Sequence, residues 1–81
     1  MTPEKRRLLL AELADTRTAL KDIWMERVSI AEALPAASAH HAHQLRLRDV
    51  ALLECEVAPT WRAVELEFQL TARVLFCAGA E

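Results

Sequence analysis

Glycine is almost missing from this chain of 81 residues, which holds one Gly, three Pro and no Tyr. A Gly-rich phosphate cradle is therefore unavailable, and collagen-like or linker sequence is excluded. Two cysteines do not make a disulfide framework. No uncharged apolar run reaches the ~18 residues that a membrane span needs. Lys5-Arg6-Arg7 before Leu8-Leu9-Leu10 has the outline of a secretory leader, but Glu12 and Asp15 interrupt the apolar stretch too early. Charge of one sign is also lacking: 10 Lys+Arg against 12 Asp+Glu leave −2, which argues against nucleic acid as a partner. No Ser/His/Asp set, nucleophile elbow, H-E-x-x-H, E-x-x-H or C-x-x-C occurs, so neither an enzyme nor a cofactor is indicated.

What remains is hydrophobic and helix-forming. Hydrophobic residues make up 53% of the chain, and Leu and Ala together supply about a third of it. That content excludes a disordered chain and favours helix at almost every position. The expectation is one all-α domain over residues 1–81, soluble and cytoplasmic. The preference for Arg over Lys and the abundance of Ala suit a GC-rich bacterial or phage genome.

The punctuation predicts a long antiparallel helical hairpin. Thr2-Pro3-Glu4 reads as an N-cap, an N1 proline and a first-turn acid, so a first helix is expected from about 3 to 34. Pro35 disfavours helix before it and Ser38 is a good N-cap, which places a turn at 35–38. A second helix should run from about 39 to 78, ended by Gly79 and kinked at Pro59. The alternative is a monomeric three-helix bundle broken at Pro59.

On a 100°-per-residue wheel the second helix carries two apolar stripes. One holds Val50, Leu53, Val57, Trp61, Val64, Phe68, Thr71 and Leu75, and passes Pro59 in phase. The other holds Leu45, Leu52, Pro59, Ala63, Leu66, Leu70, Val74 and Cys77. The first helix has one broad face, including Leu9, Leu13, Leu20, Ile23, Trp24, Ile30 and Leu34. A one-faced helix satisfies only one side of a two-faced one. If the hairpin pairs residue i with 72 − i, the segment from Leu70 to Cys77 also overhangs, and large apolar surface left open on a soluble chain marks an interface. Two hairpins dimerising into a four-helix bundle would cover it. The partner-binding residues expected on this reading are Leu52, Leu66, Leu70, Val74 and Phe76.

Three further groups carry possible chemistry. His40 and His43 share a helix face, with Glu32 across the turn, a spacing that could hold a metal or make the turn pH-sensitive. Arg27 interrupts the apolar face of the first helix near Arg46, His43 and Asp49, and is expected either to pair with Asp49 or to join His43 and Arg46 in binding an anion. Cys55 and Cys77 are expected to be small buried hydrophobes at an interface, and Trp24 and Trp61 anchors of core or interface. The functional expectation is a non-enzymatic protein–protein interaction module: an adaptor, chaperone or regulatory protein that binds itself or another helical protein. The alternative is a small ligand- or metal-sensing bundle. In size and shape it is similar to small co-chaperones, secretion-system adaptors and phage regulatory proteins, without a shared motif.

Overall fold

A computed structural model describes residues 2–80, with side chains through residue 71. Thr2 sits in extended backbone, and its Oγ1 accepts the Lys5 N–H at 3.1 Å, which starts α1 (Pro3–Ala33) with proline at the first turn. The chain leaves α1 through one 3₁₀ turn, Leu34–Ala36, and becomes extended at Ala37. Ser38 Oγ then accepts the His41 N–H at 3.2 Å and starts α2 (Ala39–Ala80). Ion pairs joining Glu26 to Arg48 and Glu12 to Arg62 show that the two helices run antiparallel. The all-α hairpin is therefore the fold. No helix among the described residues is long and apolar enough to cross a membrane.

α2 continues through Pro59, so the three-helix alternative does not occur. Proline has no N–H, so the Cys55 carbonyl loses its helical partner, and the ring presses on that turn. Small neighbours make room: Ala58 and Pro59 line an open groove of about 400 Å³ with Thr16 and Ala19 of α1. Gly79 also lies inside α2, which runs to Ala80 instead of ending before the glycine.

The helices meet along a heptad seam. The seam positions on α1 are Leu9, Leu13, Thr16, Leu20, Ile23, Arg27 and Ile30, continued by Leu34 of the 3₁₀ turn, alternating steps of four and three, with Glu12 and Val28 half-buried beside them. On α2 they fall at Ala42, Leu45, Asp49, Leu52, Glu56, Pro59, Ala63, Leu66 and Leu70. Such spacing is that of a coiled-coil seam. Leu66 is fully buried, Leu13 and Ala63 lie against it, and Leu9, Leu20 and Leu70 pack around them.

This seam corrects the expected use of the two stripes. Leu52 and Leu66, expected to meet a partner, are buried between α1 and α2 at 4% and 0% exposure, and Leu70 packs against the cluster around Leu66. The Val50–Phe68 stripe, left for α1 by that expectation, faces outward instead. Two physical reasons decide it. Ala42 and Ala63 let the helix axes approach, where Trp61 and Phe68 would hold them apart. Asp49 and Glu56 also lie on the Leu52 side, where they answer the charge of Arg27. The turn also folds a few residues farther along the chain than the 72 − i rule implies, so Leu70 lies within the seam and does not overhang. The side chains of Val74, Phe76 and Cys77 lie outside the described residues.

Candidate functional site

Arg27 forms a polar layer inside the seam. Its Nε donates to Asp49 Oδ1 at 2.9 Å and its Nη1 reaches Glu56 Oε1 at 3.4 Å, with all three side chains about 30% exposed. The hydrogen bond to Asp49 is the main reason that the guanidinium pKa is raised. The expected Arg27–Asp49 pair is present, with Glu56 as a second acceptor. Arg46 and His43 are not among Arg27's hydrogen-bond partners, and both are exposed. A cation engaged by two carboxylates offers little to an anionic ligand. Among the described residues no three His, Cys, Asp or Glu side chains stand close enough to hold a metal ion, so Glu32, His40 and His43 are not gathered into a site.

The two flanks of the hairpin differ. On one, Arg62 donates from Nε and Nη2 to both oxygens of Glu12 at 2.9 and 2.7 Å, and Arg48 does the same to Glu26 at 2.9 and 3.2 Å. These bidentate forks join residues flanking the seam on its two sides. The Arg62 hydrogen bonds hold the Glu12 carboxyl below its ordinary value, against the opposing effect of desolvation. Because the folded-state pKa is the lower one, the pair's contribution is present above the unfolded carboxylate pKa. It is lost as pH falls through the folded value. Acid unfolding followed by circular dichroism should therefore be shallower in Glu12→Gln than in the parent. Equal acid sensitivity would show that the pair contributes nothing.

The other flank carries Arg46 and the Arg17–Glu67 pair at 2.6 Å and is otherwise largely apolar. Leu53 and Thr60 of α2 share the heptad position of Glu67, and Leu10 and Trp24 of α1 share that of Arg17. Beyond them lies the outer face of α2. Its large apolar side chains are well exposed, Trp61 and Phe68 both at 70%, Val50, Val57 and Val64 at just over half. Leu53, Val57 and Trp61 line a shallow depression of about 390 Å³, and Trp24, Val28 and Ala31 line another of about 220 Å³. Trp24 and Trp61 thus belong to an open surface and not to the core.

The outer positions have a periodicity of their own. Leu47, Val50, Glu54, Val57, Trp61, Val64, Phe68 and Thr71 again alternate steps of three and four. The stripe expected from the wheel, set there against α1, overlaps this one but holds Leu53 in place of Glu54 and lacks Leu47. Cys55, expected to be buried, is exposed and lies on the opposite side from Trp61. On a continuous helix, ~33 Å of rise separates it from Cys77, which excludes a bridge within one chain. The arrangement shows, among the described residues, hydroxyls of Thr16, Thr18 and Ser29 that donate to backbone carbonyls and not to a side-chain base. It has one polar, ion-paired flank and one broad apolar face at the spacing that packs helices. No family model, curated protein or solved structure matches this chain.

Proposed function

We propose that the protein is a non-enzymatic helical interaction module whose working surface is the outer face of α2. It packs there against a further helix, from a second copy or from a helical partner, in the manner of a small adaptor, chaperone or regulatory protein. One observation carries this reading: a second heptad stripe stands open on α2, with Trp61 and Phe68 each 70% exposed. An exposed aromatic forgoes much of the burial that makes it a strong interface anchor. Heptad spacing suits a helical partner lying along the whole face better than a small ligand in a pocket.

Trp61→Glu places a charge in the centre of this face without touching the inner seam. The native mass by size-exclusion chromatography with light scattering should exceed that of one 9.1 kDa chain in the parent and fall to that of one chain in the variant, with helix content unchanged. An assembly that keeps its mass in Trp61→Glu would overturn the proposal, whereas a parent with the mass of one chain would remove the second copy as the partner.

A further inference from the structure

We propose that the occupant of the outer face is a second copy of this chain, its α2 lying antiparallel on the first about a two-fold axis near Pro59. The inference rests on the functional reading above and adds the partner and its orientation.

Area is the first argument. The chain exposes 6237 Å², whereas a folded monomer of its mass exposes about 4,900 Å². Its radius of gyration is 18.4 Å, against the ~12 Å of a compact domain of this length. The excess is of the order a specific interface removes, since a standard one buries ~800 Å² on each partner. At 70% exposure Trp61 and Phe68 alone offer on the order of 300 Å². Leu47, Val50, Leu53, Val57 and Val64 raise the apolar total to roughly 600–700 Å².

Complementarity is the second argument, and it selects the orientation. An antiparallel coiled coil stacks a residue of one seam position on the other seam position of its partner. Applied to the outer stripe, this sets Val57 against Trp61 of the second copy and Val50 against its Phe68, a β-branched residue opposite an aromatic in each layer. Glu54 faces Val64 of the second copy, with its stem able to carry the carboxylate to the rim. Within the hairpin, Glu12 lies beside Arg62 where Leu13 faces Leu66. The same step from seam to edge sets Arg46 beside Glu67 of the second copy where Val50 faces Phe68. Both groups are exposed, and Glu67 has room for a second cation besides Arg17. Shifting the pairing by one heptad sets Val57 against Glu54 in one direction and against Phe68 in the other, and both shifts separate Arg46 from Glu67. A parallel pairing sets Trp61 on Trp61 and Glu54 on Glu54.

The test measures distances between spin labels on single cysteines at Gln44 and Glu65, in a chain carrying Cys55→Ser and Cys77→Ser. Antiparallel pairing about Pro59 places the two Gln44→Cys labels about 45 Å apart and the two Glu65→Cys labels about 20 Å apart. Short distances at both sites mean a parallel pairing, and similar long distances at both mean another overlap. Either result overturns this dimer, while a mass that still falls with Trp61→Glu leaves the functional surface standing. A labelled chain with the mass of a single copy overturns the self-pairing directly.

Discussion

Leu66→Ala will cost the hairpin about 3–5 kcal/mol, whereas Leu8→Ala will cost less than about 0.5 kcal/mol. Both substitutions delete the same atoms from a leucine on a helix, so propensity changes little and burial is what differs. Leu66 has no exposed surface and sits in the cluster with Leu13 and Ala63, while Leu8 is 67% exposed. The antiparallel helices close over Leu66 from both sides, which leaves little scope to collapse into the cavity. Domains of this size have only about 3–5 kcal/mol to spare, so Leu66→Ala should be partly unfolded at room temperature. Urea titration of the two variants beside the parent measures the contrast. A loss under about 1 kcal/mol at Leu66 would mean that the helices meet through the opposite stripe. Phe68→Ala and Val57→Ala would then take over the large cost.

Pro59→Ala will stabilise the hairpin by about 1–2 kcal/mol and raise the thermal midpoint by roughly 5–15 °C. Proline inside a helix costs ~3 kcal/mol relative to alanine, through the lost bond to the carbonyl four residues back and the clash with that turn. Part of this is offset because proline also restricts the unfolded chain, by about 0.4–1 kcal/mol, and because removing the half-buried ring forgoes about another 0.5–1 kcal/mol of burial. Alanine restores the donor to Cys55, and the groove beside Thr16 and Ala19 widens only by the volume of the ring. Differential scanning calorimetry decides it. A lower midpoint in Pro59→Ala would show that the packing of the ring beside Thr16 and Ala19 outweighs the hydrogen bond it removes.

The elements of the fold were legible because their signals are local. Thr2-Pro3 and Ser38 form the caps expected of them, and Pro35 marks the turn. The assignment of faces was not legible on a straight wheel. An ideal helix drifts ~20° per heptad against a seven-residue repeat, so over the four heptads from Ala42 to Leu70 the true seam is displaced by ~80°, nearly a quadrant. Asp49 and Glu56 then look like a polar border between stripes, when in fact they lie within the seam. Arg27 held the missing information. Its pairing with Asp49 was anticipated, and a cation in the middle of the α1 face can only be answered from the stripe that contains Asp49. Following that one contact through would have placed Leu52 and Leu66 inside and Trp61 outside. For the histidines, spacing along one helix said nothing about the distance to Glu32 across the turn.

The ladder of ion pairs also bears on how the chain finds its fold. Arg27–Asp49 and Arg48–Glu26 join residues 22 apart, near the turn, whereas Arg62–Glu12 and Arg17–Glu67 join residues 50 apart. Loop-closure entropy grows with the length of free chain between the ends, so the contacts near Pro35 are the least costly to make first. Each one made shortens the loop that the next must close. The hairpin can therefore zip from the turn towards its open end, where the fully buried Leu66 locks it. The outer stripe lies on α2 alone, and packing against α1 is what holds α2 helical, so assembly through that face comes after folding of the single chain.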